Sequence, residues 1–362
     1  MLVSFIFPVS GNEANLYNSD IFIMKRFLPI TVFVLLFFFG ASYSFAFVRD
    51  EVVERGHLLC GVSTGIPGFS NVNGSGNWSG IDVDICRAVA AAVLNDASKV
   101  EYVPLLPKER ATALLAGKID ILSRNYAWNL TRDSSLNLNF AAITFFDLQG
   151  FLVAERIKAE SILELKDFSV CLQYGTTYEE NLAEYLQESE LKYKAIVSDT
   201  PDQIIKDFEA GRCEVITGGR AQLQGIRSKM KRPGGTYFLP EVIAAIPLGP
   251  AVRQGDDFWF DIVKWTVFAM INAEELQITS SNVDSMVAAR SSKAVQRFLG
   301  QTGIGGKGLG LADGWAYQII RQVGNYGESF ERNLGESSPL KLKRGLNNLW
   351  NKGGILYAPP LQ

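Results

Sequence analysis

Ala116-Gly117-Lys118-Ile119-Asp120-Ile121-Leu122-Ser123 lies letter against letter with Ala210-Gly211-Arg212-Cys213-Glu214-Val215-Ile216-Thr217. In both stretches a helical pattern stops at glycine, a basic residue complements the helix C-terminal dipole, and a short apolar strand ends at a hydroxyl. A second echo sets Cys60 and Gly65 against Cys171 and Gly175, each a strand running into a Gly/Thr turn. Around these echoes the same order of elements occurs twice. Hydrophobic periodicity predicts strands over 57–62, 100–105 and 119–123 with helices over 81–93 and 109–116, then strands over 168–173, 193–197 and 213–217 with helices over 177–186 and 201–210. Strands alternating with helices in two similar blocks mean α/β architecture in two lobes, and two lobes imply a cleft.

Beyond Gly249 the pattern turns helical, over 258–275, 283–289, 294–299, 315–323 and 342–350, and reads as helices packed onto the first lobe. The expected organisation is 1–46 as an N-terminal extension and signal, 47–149 as the first part of lobe 1, 150–249 as lobe 2, and 250–362 as the return to lobe 1 plus a helical C-terminal extension. Gly303-x-Gly305-x-x-Gly308 formally matches a dinucleotide motif, but no strand precedes it. Lys307 is followed by Gly308, so the phosphate-loop pattern fails as well, and a flexible loop is the better reading.

The chain has 362 residues, 47% hydrophobic and 20% charged, with a formal net charge of −3. That length suits two domains, and that balance excludes disorder. It offers no basic field for a phosphate backbone, so nucleic acid is not expected as a partner. Much of the apolar excess sits at the N-terminus: Met24-Lys25-Arg26 precedes an apolar run over 27–40 and then Ser44-Phe45-Ala46. A dibasic start, a short apolar core and small residues at the cleavage positions read as a secretory signal peptide cut after Ala46, with Met1 or Met24 as the start. An uncleaved anchor is the alternative, against which stands a run shorter than the roughly 20 residues a bilayer requires.

Cys60, Cys86, Cys171 and Cys213 are the only cysteines, an even number in a chain sent to an oxidising compartment. Three pairings are open. The two-lobe organisation favours 60 with 86 and 171 with 213, each inside one lobe; buried free thiols are the alternative.

His57 is the only histidine, so Ser-His-Asp, Cys-His and histidine-rich metal chemistry are not expected, nor is a metal or cofactor. Recognition remains. A carboxylate is gripped by a planar guanidinium together with amides at a helix N-terminus, and both occur in loops that follow strands. The loop Ser123-Arg124-Asn125-Tyr126-Ala127-Trp128-Asn129-Leu130-Thr131-Arg132 offers guanidiniums, amides and aromatics. In the second block Gly175-Thr176-Thr177 opens a helix with Glu180 three residues on, a capping-box pattern that leaves amides and a hydroxyl for an anion. Each candidate has a structural alternative: Arg132 as a surface partner of Asp133, Thr176 and Thr177 as plain caps, and Phe69, Tyr126 and Trp128 as core aromatics.

Cys60-Gly61-Val62, Gly76-Asn77-Trp78-Ser79-Gly80-Ile81-Asp82-Val83-Asp84, Ser123-Arg124-Asn125, Gln149-Gly150-Phe151, Gly175-Thr176-Thr177, Pro247-Leu248-Gly249-Pro250-Ala251-Val252-Arg253, Asn272-Ala273-Glu274-Glu275 and Gln322-Val323-Gly324-Asn325-Tyr326-Gly327-Glu328 together resemble the periplasmic general L-amino-acid-binding proteins of ABC importers, family 3 solute-binding proteins. The resemblance spans nearly the whole chain after the signal. It implies a type II periplasmic binding fold in the periplasm of a Gram-negative bacterium, a monomer that closes over a small amino acid and hands it to an inner-membrane ABC permease. It further implies that Arg132 holds the ligand α-carboxylate with amides near Asn125 and Ala127, and that Thr177 adds from lobe 2; with the candidates read from the residues themselves, Phe69, Gly175, Thr176 and Gly219 are also expected to border the ligand.

At one place this chain departs from that family. Relatives carry an acid after the Gly-Arg-Cys strand that receives the ligand ammonium; here the text is Thr217-Gly218-Gly219-Arg220, and the turn Ser63-Thr64-Gly65-Ile66-Pro67-Gly68 supplies no acid either. An ammonium buried without its partner costs on the order of 3 to 5 kcal/mol. The expectation is weak binding of ordinary amino acids or a shift toward a more acidic ligand, unless Asp199 or Glu214 takes the role. Two rival classes are a dehydratase on the same scaffold, which needs a cleft acid as general acid, and a sensor that keeps the fold without tight binding.

Overall fold

The computed structural model describes residues 47–361 apart from Arg290 and Ile304; the signal-peptide reading of 1–46 lies outside the described residues. The chain runs through α1 (Val48–Arg55), β1 (Leu58–Val62), a small hairpin of β2 (Asn71–Val72) and β3 (Trp78–Ser79), α2 (Ile81–Leu94), β4 (Val100–Pro104), α3 (Arg110–Leu115) and β5 (Ile121–Leu122). It continues through β6 (Leu138–Phe140), β7 (Phe145–Ala154), β8 (Phe168–Gln173), α4 (Thr177–Glu188), β9 (Tyr193–Ser198), α5 (Pro201–Glu209), β10 (Val215–Gly219) and α6 (Arg220–Ser228). The last part comprises β11 (Thr236–Phe238), β12 (Ala244–Leu248), β13 (Ala251–Arg253), α7 (Asp257–Glu275), α8 (Val283–Ala288), α9 (Lys293–Phe298), α10 (Trp315–Gln322) and α11 (Tyr326–Asn333).

Two sheets carry these elements, one in the order β4-β1-β5-β13-β6, the other β11-β7-β10-β8-β9 with β12 also on β7. Each contains a parallel trio with the first strand central, β4-β1-β5 and β9-β8-β10. The two matching stretches therefore occupy equivalent places: each ends one helix at a left-handed glycine, Gly117 at φ 69° and Gly211 at φ 72°, and enters the third strand of its trio. Only glycine adopts that conformation without strain. Antiparallel strands β7 and β13 complete the sheets.

Helix α2 is apolar almost all round, with Ile81, Val83, Ile85, Val89 and a run of alanines buried, as a helix must be when packed on two sides. It lies in one core with β1 and helices α7, α10 and α11, so the helical C-terminal part packs against α2 and the sheet that holds β1. Asp84, buried on α2, accepts from Ser329 Oγ at 2.7 Å, Arg332 Nη2 at 2.6 Å and Asn333 Nδ2 at 2.7 Å, which ties α11 to it. The second sheet has an apolar cluster on each face.

Cys60 of β1 is bonded to Cys86 of α2, and Cys171 of β8 to Cys213 just ahead of β10, with Cα atoms 6.2 and 5.7 Å apart. Both spans suit a disulfide. One helix expectation fails: 342–350 holds only a short 3-10 turn, Gly345–Asn347, because Lys341 and Gly345 take positive φ of 50° each and break the helical path. The unexpected helix α11 starts at a reciprocal cap, Asn325 Oδ1 accepting from Glu328 N–H at 2.9 Å and Glu328 from Asn325 N–H at 2.8 Å.

Candidate functional site

The loop after β5 and the turn before α4 face each other across one cavity, lined by Arg110, Arg124, Asn125, Ala127 and Arg132 from one side, Gln173, Thr176, Thr177 and Tyr178 from the other, and Leu248. It measures about 10 Å³, room for roughly a single water, so a larger ligand enters only when the two sides part.

Asn125 adopts φ 37°, a left-handed turn that asparagine tolerates better than most residues. Its N–H donates to buried Asp82 Oδ2 at 2.8 Å. Burial pushes the Asp82 carboxyl up to about 7, against the lowering by the Asn125 amide and the Arg124 charge. The strand-like path of 126–128 is held by Trp128 N–H to Pro247 O at 2.9 Å and Gly249 N–H to Tyr126 O at 3.1 Å. Arg132 then turns back, donating Nη1 to Ala127 O at 2.8 Å with its guanidinium 4.5 Å over the Tyr126 ring. Among the described residues it forms no ion pair with Asp133.

Arg110, at the start of α3, holds its guanidinium 4.7 Å over the same ring. Arg110 and Arg124 are 3% and 2% exposed. Nε and Nη2 of Arg110 and Nη2 of Arg124 have no hydrogen-bond partner. Burial lowers Arg110 far below the usual guanidinium range, and the charges of Arg124 and Arg132 lower it further; burial likewise brings Arg124 down to about 10.

On the facing side Thr176 is the residue ahead of α4, but its hydroxyl donates to Gln173 O at 2.7 Å and caps nothing. The capping box expected with Glu180 is thus not formed, and the first turn keeps its amides free of a side-chain acceptor. Tyr178 OH donates to Gln222 Oε1 at 2.9 Å, and Asn125 Nδ2 reaches the same oxygen at 3.3 Å, a bond that joins the two lobes.

Five of the expected residues, Asn125, Ala127, Arg132, Thr176 and Thr177, come together here. Three stand elsewhere. Phe69 is buried in the core edge-on to Phe145 at 5.3 Å. Gly175, at φ 69°, abuts Pro107 across the lobes. Gly219 is not among the residues that line the cavity; the space of a side chain there is taken by Asp147, whose Oδ2 a Cβ would overlap. Asp147, on β7, accepts from Leu148 N–H at 2.9 Å and from Ala221 N–H at 3.0 Å at the start of α6, and burial pushes its carboxyl up to about 6. The acid beside Gly219 is therefore Asp147; Asp199 faces Lys108 at 3.9 Å on an exposed rim, and neither it nor Glu214 lines the cavity. Sequence reasoning missed Arg110, Gln173, Tyr178 and Leu248, and named Arg124 only as part of its loop. Arg110 had no signal beyond an arginine at a helix start, since its burial under Tyr126 is a product of packing.

Residues 58–281 match the family described as bacterial extracellular solute-binding proteins, family 3. The chain is 49% identical over 326 residues, 89% of its length and 95% of the relative's, to the general L-amino acid-binding periplasmic protein AapJ of Rhizobium johnstonii. It is 41% identical over 324 residues, with coverage of 89% and 95%, to the glutamate/glutamine/aspartate/asparagine-binding protein BztA of Rhodobacter capsulatus. Among solved structures, an ABC transporter / periplasmic binding protein from Brucella ovis with glutathione bound superposes with a TM-score of 0.85 at 43% identity, covering 88% of this chain and all of that one.

Proposed function

The chain belongs to family 3 of the bacterial extracellular solute-binding proteins, and on that premise we propose that it is the substrate-binding component of an amino-acid ABC importer. In this reading the lobes are 47–149 with 250–362, and 150–249. A small amino acid bridges them, stabilises the closed state and is delivered by the closed receptor to a membrane permease. The single observation that carries the reading is the cavity itself, lined by guanidiniums from one lobe and by the first turn of α4 from the other. The activity is capture without chemistry, in the periplasm, where the two disulfides would persist.

In this mechanism Arg132 takes the ligand carboxylate, oriented by Ala127 O and Tyr126, while Thr177 and the free amides of α4 meet the same group from lobe 2. Closure then forms Asn125 to Gln222 across the cleft. The purified protein, titrated calorimetrically with the proteinogenic amino acids, is expected to bind at least one. Arg132→Ala should abolish the ligand-induced rise in melting temperature. A protein that no amino acid stabilises would refute the reading.

A further inference from the structure

The cleft carries more positive charge than one carboxylate can balance. Arg110, Arg124 and Arg132 all line it, and none of them forms an ion pair among the described residues. Asp82 lies behind the loop and offsets Arg124 alone. Around Arg110 stand the other two arginines and the phenols of Tyr126 and Tyr178, with no acid among them, and the acid near Arg132 is exposed Glu180 on the rim. Two guanidinium charges are left facing inward, with Nε and Nη2 of Arg110 and Nη2 of Arg124 buried and unpartnered. A buried N–H fork without an acceptor is costly unless an anion completes it.

No aspartate or glutamate among the described residues lines the cavity. Asp147, the nearest to Gly219, has its oxygens turned to the amides of Leu148, Ala221 and Gln222. The unpartnered acceptor in the cavity is Asn125 Oδ1, a neutral amide oxygen. Such an oxygen accepts from an ammonium or from a hydroxyl without distinguishing them by charge.

We infer that the cleft selects small di-acids by two anionic groups, one on Arg132 and the turn of α4 and one on Arg110 and Arg124, and that it reads the substituent between them only as a neutral hydrogen-bond donor at Asn125. Hydroxy di-acids are then ligands alongside the acidic amino acids, and the amides of those amino acids are poor ones. The inference rests on the binding-protein reading proposed above.

The test is a calorimetric panel on the purified protein in two carbon-chain lengths: L-aspartate, L-malate and L-asparagine, and L-glutamate, L-2-hydroxyglutarate and L-glutamine. In the series that binds, the hydroxy di-acid is expected within thirtyfold of the amino di-acid, and the amide more than thirtyfold weaker. A hydroxy di-acid weaker by more than thirtyfold, or an amide within thirtyfold, overturns the inference while leaving an amino-acid receptor in place. Absence of binding by every amino acid and di-acid overturns both. Arg110→Gln, and Arg110→Lys should the first variant fold poorly, is expected to weaken di-acid binding at least thirtyfold more than it weakens binding of the amide. An equal loss for both ligands would make Arg110 merely structural and overturn the assignment.

Discussion

The carboxylate of Asp147 occupies the space that a side chain on Gly219 would need, so that a Cβ at position 219 would overlap its Oδ2. Gly219 lies opposite Gln149 in the antiparallel β7-β10 pair, and Asp147, two residues further along β7, is turned to the start of α6. Gly219→Ala should therefore destabilise by roughly 1 to 3 kcal/mol through overpacking. Adding Asp147→Ala should recover part of that loss, giving a non-additive double-mutant cycle by urea denaturation. Strict additivity would mean the two side chains do not compete for this space.

Acidity enters through the same residues. The Asp82 and Asp147 carboxyls have folded values of about 7 and about 6, both raised from 3.8 by burial. The folded state thus binds protons more tightly than the unfolded one, so their contribution is fully present below about pH 4 and is lost as pH rises through 6 and 7. Together they should cost a few kcal/mol across that window. Asp82→Asn and Asp147→Asn should each flatten the fall in melting temperature between pH 4 and 7; an unchanged slope would show that neither titrates there.

Closure depends on Gln222, whose Oε1 accepts from both Tyr178 and Asn125. Gln222→Leu removes one inter-lobe bond worth about 1 kcal/mol. The expected result is ligand affinity weakened about fivefold, together with a loss of about 1 to 3 kcal/mol of ligand-free stability from the buried Tyr178 hydroxyl left without its acceptor, read by paired calorimetry and thermal melts.

Asp84 bonds Ser329, Arg332 and Asn333, the only buried carboxylate on α2 so engaged with α11. Asp84→Ala leaves four donors without their acceptor, Arg87 Nη1 being the fourth, and should destabilise by about 1 to 3 kcal/mol, seen as a lower denaturation midpoint. A loss below 1 kcal/mol would mean α11 is held by its apolar face alone.

The 171–213 disulfide closes a loop of 42 residues. Its removal by Cys171→Ala with Cys213→Ala should cost about 4 kcal/mol in the chain-entropy model. A reducing agent should shift the wild-type midpoint in the same direction and leave the double variant moved only by loss of the 60–86 bridge.

Periodicity and punctuation determined a great deal by themselves. The alternation of short apolar strands with helices, and the glycines at 117 and 211 that end one helix in each block, specify two related α/β lobes because such signals are local and each glycine's conformation is set by its own backbone. The loop at 123–132 and the turn at 175–177 were legible as recognition elements for the same reason, and six of their residues meet in the cavity. What only the tertiary structure decided is long-range. Phe69 went to the core because Phe145, 76 positions away in the chain, offered it an edge to pack against. Arg110 became a cleft residue because folding laid α3 beneath Tyr126. Gly219 gained its meaning from Asp147 on the neighbouring strand. A chain's text records which groups are present; which of them end buried together without a partner, as Arg110 and Arg124 do in this cleft, is settled by packing.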